Sequence, residues 1–177
     1  MPDQAELARF EQAVLPHLNA AYNLARWLTG NEHDAEDIVQ ESYLRALKFF
    51  AGFRGENSRP WLLAIVRNTC YTWRQRNRVS ELSTELDEEI HGIDSGSASP
   101  ETILLASAQG EAVQRALEQL PVEYREAVVL REMEGMSYRE IADVAGIPVG
   151  TVMSRLARAR GRLQQLLRSE RPREATA

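Results

Sequence analysis

Apolar residues recur every three to four positions along most of the chain, which is the spacing of one face of an α-helix. One such stripe comprises Leu18, Ala21, Ala25 and Leu28. An alternation of apolar and polar residues, the pattern of a half-buried strand, does not rise above this helical background. The sequence therefore predicts an all-α fold.

Capping and turn residues divide this helical pattern into parts. Gly30 fits the C-terminal cap of one helix and Asn31 fits the N-terminal cap of the next. A glycine-bearing loop over 53–60 precedes a helix predicted over 61–78, and a later turn-rich stretch has little to bury. The prediction is two small helical domains over 1–78 and 108–170, a flexible linker over 79–107 and a disordered tail over 171–177.

Charge is segregated along the chain, although 26 acids and 21 bases give a net charge of only −5. Residues 79–120 hold nine acids and one base, which makes the predicted linker acidic. Residues 54–78 hold six arginines and one acid, and residues 149–168 hold five arginines and no acid. Two cationic stretches separated by an anionic one predict two contacts with a polyanion. Solvated arginine-rich helix faces, in a chain with one lysine, are the alternative.

Several classes of protein are disfavoured by composition. The single Cys70 excludes an intramolecular disulfide, and three widely spaced histidines do not resemble a metal site. A nucleophile turn of the G-x-S-x-G type is not found near any histidine. No apolar run approaches the ~20 residues that cross a bilayer, and the polar start does not resemble a secretory signal. We expect a cytoplasmic protein that is not an enzyme and uses no metal and no cofactor.

The C-terminal part carries the pattern of a helix-turn-helix. Ser137 and Glu140 form a capping box, Gly146 ends the short helix that follows, and a long helix is predicted over 149–168. This long helix has an apolar stripe and a separate polar, cationic stripe that suits a DNA major groove. The polar stripe comprises Thr151, Ser154, Arg155, Arg158 and Arg162. The alternative is an ordinary surface helix of a bundle.

Two features of the N-terminal part also suggest binding. Aromatic residues alternate with arginines over 49–78, which is the combination that unstacked bases and their phosphates require, although most of these aromatics are also expected in the core. Acidic residues crowd the start of the helix after Asn31. They either interact with the helix dipole or dock a basic helix of another protein.

Three segments together resemble a known family. They are Asp34-Ala-Glu-Asp-Ile-Val-Gln-Glu41, Pro60-Trp-Leu-Leu-Ala-Ile-Val-Arg-Asn68, and Tyr138-Arg-Glu-Ile-Ala142 with Gly150-Thr-Val-Met-Ser-Arg-Leu-Ala-Arg-Ala-Arg160. The chain resembles, over nearly its whole length, the group IV or extracytoplasmic-function (ECF) sigma factors of bacterial RNA polymerase. The resemblance implies two helical domains, called regions 2 and 4, and regulation by an anti-sigma factor.

The resemblance also implies roles for named residues. Those expected to dock the clamp helices of the polymerase largest subunit are Asp34, Glu36, Asp37, Gln40 and Glu41. Those expected to melt and read the minus-ten element as a single strand are Arg54, Asn57, Ser58, Arg59, Trp61, Arg67, Asn68, Arg74 and Arg76. Region 4 is expected to read the minus-thirty-five element of the promoter duplex and to meet the polymerase flap. The chain itself is not expected to contact a membrane.

A free-standing helix-turn-helix regulator is the alternative to a sigma factor. Such a regulator would bind duplex DNA without polymerase, and a single recognition helix rarely suffices for that, so it would need a dimerisation element. The sequence offers no heptad seam of useful length.

Overall fold

The computed structural model describes residues 2–83 and 108–170, and all regular structure in these two ranges is helical. The predicted all-α fold is confirmed. The helices of these two ranges include none with the length and apolar character needed to span a bilayer.

Four α-helices and two short 3₁₀ turns form the N-terminal unit. Their bounds are α1 Gln4–Val14, a 3₁₀ turn Leu15–His17, α2 Leu18–Thr29, α3 Glu32–Phe49, a 3₁₀ turn Phe50–Gly52 and α4 Ser58–Ser83. Helices α2, α3 and α4 pack against one another, and α1 packs on α4. Their shared core includes Phe10, Val14, Leu24, Leu28, Ile38, Leu62, Leu63 and Val66.

The junction between α2 and α3 follows the predicted capping chemistry. Gly30 adopts a left-handed conformation with φ of 76°, which glycine takes without a steric penalty. The Asn31 side chain then accepts hydrogen bonds from the backbone N–H groups of His33 and Asp34, at 2.8 and 3.2 Å. This cap fixes where the acidic face of α3 begins.

Helix α4 is longer than the sequence predicted. It begins at Ser58, three residues before the predicted start, because Pro60 fits within a first helical turn, where no intrahelical N–H bond is lost. Its described part extends to Ser83, so the predicted boundary at residue 78 falls inside the helix. The rest of the predicted linker and the predicted tail lie outside the described residues.

The C-terminal unit contains four α-helices with one π turn between the second and third. Their bounds are α5 Ala108–Gln119, α6 Val122–Val128, the π turn Val129–Met133, α7 Tyr138–Ala145 and α8 Val149–Glu170. The capping box at the start of α7 is present, because Ser137 Oγ accepts from the Glu140 N–H and Glu140 Oε1 accepts from the Ser137 N–H. Gly146 ends α7 in the left-handed conformation.

The two units pack against each other. Helix α4 lies on α7, and α2 lies on α6. The buried apolar residues of both units form one continuous cluster. The contacts that close this junction are polar as well as apolar, and several involve residues that the sequence assigned to DNA binding.

Candidate polymerase-docking and DNA-binding surfaces

An acidic face lies along the first half of α3. Glu36, Asp37, Gln40 and Glu41 are exposed and Asp34 is half-buried, while Ala35 and Ile38 point into the core. Glu41 forms an ion pair with Arg45 one turn further along, with 2.6 Å between Oε1 and Nη2. The structure therefore brings the five sequence-predicted docking residues together on one accessible surface.

Leu44 extends this acidic face, which the sequence did not predict. Leu44 is apolar, but it lies one turn beyond Gln40 and Glu41 and is 65% exposed. The sequence feature that indicates this position is its spacing, because a residue four after Gln40 and three after Glu41 lies on the same face of a helix. A single exposed leucine is ordinary on a protein surface, so only its position at the end of the acidic face bears on docking.

Aromatic packing shapes the loop between α3 and α4. The ring centroids of Phe53 and Trp61 are 4.8 Å apart, and Phe50 lies 6.1 Å from each of them. Trp61 is therefore partly engaged in the core, as expected for most aromatics of this stretch. Arg54 and Asn57, which lie in the loop over this cluster, are exposed.

The Ser58 side chain points into the N-terminal unit and not toward solvent, where a base could reach it. Its hydroxyl donates a 2.6 Å hydrogen bond to the carbonyl oxygen of Ala13, and the residue is buried. This bond anchors the start of α4 to the end of α1. Asn57 accepts a hydrogen bond from the Arg59 N–H at 3.3 Å, so the two polar side chains together organise the first turn of α4.

The arginines of α4 divide into free and engaged groups. Arg59 Nη2 lies 3.2 Å from Glu140 Oε2, and its Nη1 donates to the carbonyl oxygen of Glu134 at 3.1 Å. Arg67 Nε lies 2.6 Å from Glu126 Oε1. These two arginines of the N-terminal unit are thus held by carboxylates of the C-terminal unit.

The remaining candidates on α4 have simpler surroundings. Arg74 Nη1 donates to the carbonyl oxygen of Leu28 at 2.9 Å, which ties α4 to the end of α2. Asn68 and Arg76 are exposed. Accessible candidates consequently occupy the loop and the solvent side of α4. The junction with the C-terminal unit holds Arg59 and Arg67, and contacts within the N-terminal unit hold Ser58, Trp61 and Arg74.

Glu126 is the centre of the buried part of the junction. Its carboxylate accepts hydrogen bonds from Arg67 and from the Tyr71 hydroxyl, the latter at 2.9 Å. Burial, followed by the charge of Glu126, raises the pKa of Tyr71 well above its ordinary value, so the phenol stays protonated as a donor. Burial also raises the pKa of the nearby Cys70 thiol to about 12.

Glu140 takes part both in the cap of α7 and in the junction between the two units. Partial burial acts to raise the pKa of its carboxyl group, but hydrogen bonds from Ser137 and Arg59 outweigh burial, so the pKa falls below the ordinary 4.5. The carboxylate both caps α7 and holds Arg59 of the other unit.

The second helix of the helix-turn-helix, α8, has a buried face and an exposed face. Val152, Leu156 and Ala159 are buried against the rest of the unit. Ser154 and Arg158 are exposed, as the predicted polar stripe requires.

The other three members of the predicted polar stripe differ in exposure. Thr151 and Arg155 are half-buried, and Arg155 Nη1 is buried with no hydrogen-bond partner among the described residues. The Arg162 guanidinium lies 5.3 Å from the ring centre of Tyr124 in α6. Arg162 is nonetheless exposed, and the exposed face also includes Met153 and Ala157, so it is displaced from the predicted stripe toward these two residues.

Comparison with known proteins matches both units. Residues 13–79 match the family described as Sigma-70 region 2, and residues 110–163 match Sigma-70, region 4. The ECF RNA polymerase sigma-E factor of Escherichia coli strain K12 is 36% identical over 146 residues, which cover 76% of each chain. The chain belongs to the ECF family of RNA polymerase sigma factors. The predicted family is confirmed.

A second relative extends the similarity of this sigma factor along nearly the whole chain. The ECF RNA polymerase sigma factor SigE of Mycolicibacterium smegmatis is 36% identical over 166 residues. The alignment covers 93% of this chain and 64% of that relative, so the chain spans slightly less than two thirds of the length of SigE.

Solved structures agree with the sequence comparison. A chain in the co-crystal structure of the sigma factor RpoE with the anti-sigma factor NepR from Bartonella quintana aligns with a TM-score of 0.70 and 33% identity, covering 92% of this chain and 99% of that one. The structure of CnrH with the cytosolic domain of CnrY aligns with a TM-score of 0.64 and 27% identity, covering 91% and 88%. The arrangement of two helical units is therefore shared with the sigma factor RpoE in its complex with NepR and with CnrH in its complex with the cytosolic domain of CnrY.

Proposed function

We propose that this sigma factor directs core RNA polymerase to specific promoters and that its two units divide the recognition of DNA. The residues up to the last described residue of α4, Ser83, act as region 2, the stretch from there to residue 107 as a linker, residues 108–170 as region 4 and residues 171–177 as a tail. The family matches over 13–79 and 110–163 support the first and third assignments. The chain acts in the cytoplasm as an initiation factor, without enzymatic activity or a cofactor of its own.

The acidic face of α3 docks the polymerase. Asp34, Glu36, Asp37, Gln40 and Glu41 form this surface. Leu44 adds an apolar contact at its end, and the carboxylates offer complementary charge to a basic clamp helix.

Region 2 reads the minus-ten element through the loop and through α4. The accessible Arg54, Asn57, Asn68 and Arg76 offer donors to bases and phosphates. Arg59, Trp61, Arg67 and Arg74 complete this surface, and the two that pair with carboxylates of the C-terminal unit reach DNA only after those pairs open. Ser58 acts by holding the start of α4 in place.

Region 4 reads the minus-thirty-five element in the duplex through α8. Ser154 and Arg158 lie on the exposed face. Thr151, Arg155 and Arg162 flank them and contact the DNA backbone.

An anti-sigma factor holds this chain inactive until a signal releases it. The support is the likeness to RpoE and CnrH, whose structures hold NepR and the cytosolic domain of CnrY.

The observation that carries the proposed function is the coexistence of the acidic face of α3 with a helix-turn-helix in one chain. The test is transcription in vitro with core polymerase that lacks any sigma factor and a library of promoters. We expect the purified chain to start transcription at a subset of these promoters. Failure with every promoter would contradict the proposal, and tight duplex binding by a homodimer without polymerase would favour the free-standing regulator.

Charge reversal separates the docking face from DNA reading. Asp37→Arg is expected to lower transcription at least tenfold, because it opposes a basic partner at the centre of the face. Glu11→Arg, which reverses an exposed charge on α1, is the matched control and is expected to leave transcription unchanged. Equal transcription by the two variants would remove the docking assignment.

A further inference from the structure

The exposed surface of α8 consists of two adjacent ridges over its first three turns. One ridge carries Gly150, Ser154 and Arg158, and it is small or polar. The other carries Val149, Met153 and Ala157, and it is apolar throughout. Each ridge repeats every four residues, so the two run side by side along the helix.

The apolar ridge is unusually accessible for its composition. Val149 is 41% exposed and Met153 is 53% exposed, which makes Met153 the most exposed large apolar side chain of the described C-terminal unit. The buried face of α8 is formed by other residues, including Val152 and Leu156. Packing within the unit therefore does not account for an apolar side chain at Met153.

The charge around this ridge favours DNA over a protein as its partner. Over 149–168, helix α8 carries five arginines and no carboxylate, and one of these arginines, Arg160, pairs with Glu132 of the π turn at 3.0 Å. Val149 and Met153 also directly follow the turn at Gly146, and the first turns of a recognition helix are those that meet base edges in the major groove. The ridge is thus placed where an apolar side chain faces bases.

Thymine is the base that offers an apolar group in the major groove, its C5-methyl. We propose that Val149 and Met153 contact thymine C5-methyl groups in the duplex element that region 4 reads, and thereby determine specificity for thymine at one or two positions. This inference rests on the proposed function of region 4. Ser154 and Arg158, on the neighbouring ridge, make the polar contacts that fix the register.

Replacing thymine by deoxyuridine tests the proposal directly, because this change removes the methyl group and leaves all hydrogen-bonding groups of the base pair. The experiment uses the full chain with core polymerase and a promoter selected from a randomised library. Each thymine of the upstream duplex element is replaced in turn, and promoter affinity is measured. We expect about a fourfold loss at one or two positions, since burying one carbon group of this size contributes about 0.8 kcal/mol.

Variants identify the residues that sense the methyl group. Met153→Ala is expected to weaken binding to the thymine template and to bind the thymine and deoxyuridine templates equally at one of these positions. Val149→Ala is expected to remove the discrimination at the same or the neighbouring position. Met133→Ala removes another exposed methionine of the unit and is the matched control, which should discriminate as the parent does.

The outcomes separate this proposal from the function on which it rests. Initiation that is insensitive to deoxyuridine at every position overturns the thymine contact while leaving the sigma-factor function intact, and it would assign the ridge to a protein partner. Undiminished discrimination in both Met153→Ala and Val149→Ala overturns the assignment to this ridge. Absence of initiation from every unmodified promoter overturns the proposed function itself, and the thymine contact with it.

Discussion

At the scale of single residues, burial decides how much an ion pair matters in this protein. Arg67 with Glu126 and Arg45 with Glu41 have the same 2.6 Å separation between nitrogen and oxygen. The first pair is buried at the junction of the two units, and the second is exposed on α3. Water screens the exposed pair, whereas the buried guanidinium depends on Glu126 to offset its lost hydration.

Neutralising Glu126 should therefore lower the free energy of unfolding more than neutralising Glu41. Glu126→Gln is expected to lower the free energy of unfolding by about 3 kcal/mol or more, because it leaves Arg67 buried without a counter-charge. Glu41→Gln removes a pair of the same length and is expected to cost about 0.5 kcal/mol or less. Denaturation in urea measures both, and similar losses for the two variants would contradict the importance of burial.

At the scale of elements, caps set the helix boundaries, and one cap also reaches across the junction. Glu140 completes the capping box of α7 and accepts from Arg59 of α4. A glutamine at this position keeps the hydrogen bond of the cap but loses the charge. The substitution therefore separates the local role of Glu140 from its electrostatic role.

The lowered pKa of Glu140 predicts a pH dependence. A carboxyl group whose pKa is lower in the folded state contributes stability that is fully present above its unfolded pKa of 4.5 and is lost as pH falls through the folded value. The difference in unfolding free energy between the parent and Glu140→Gln should shrink as pH falls below 4.5. Urea denaturation at a series of pH values measures this difference.

Glu56→Gln is the control for this pH dependence. Glu56 is an exposed carboxylate in the loop before α4. Its neutralisation is expected to give a smaller change across the same pH range, and an equal change in both variants would contradict the role of the pair with Arg59.

Local chemistry explains why these elements could be predicted from sequence and the junction could not. The caps at Asn31, Ser137 and Gly146 depend on residues within four positions, and each was predicted. Arg67 and Glu126 are 59 residues apart, so no periodic pattern connects them.

Leu44 shows what helical spacing alone can decide. It lies three residues after Glu41 and four after Gln40, but only two residues from the buried Ser42 and Ala46, so its spacing assigns it to the acidic face although it is apolar. The extent of the exposed face of α8, by contrast, depends on how α8 packs against α6 and α7.

At the scale of the whole molecule, the two units are joined through groups that are also candidates for DNA contact. Arg59 and Arg67 face carboxylates of the C-terminal unit. Further contacts cross the same junction, from Asn23 to Glu134 at 2.8 Å and from Arg125 to the carbonyl oxygen of Trp27 at 3.0 Å. In this closed arrangement, with the two units packed together, Arg59 and Arg67 are paired with carboxylates and are less available to an anionic ligand.

Releasing one of these arginines should increase affinity for single-stranded DNA. We expect Glu140→Gln in the full chain to bind a labelled single strand up to about fivefold more tightly, the equivalent of roughly 1 kcal/mol for one partly exposed pair. Glu41→Gln also frees an arginine, Arg45, but outside the candidate DNA surface, and is expected to bind as the parent does. Fluorescence anisotropy measures both, and equal affinities for the two variants would contradict the competition.

The paired state of Arg59 and Arg67 has a consequence for the response to ionic strength. Cations that meet DNA from solution displace condensed counterions from the phosphates, which makes binding steeply dependent on salt. Arginines that leave an internal carboxylate expose that carboxylate, which then gathers cations from the medium. The net release of ions is smaller, so added salt weakens strand capture by the closed chain less steeply than a count of its arginines would indicate.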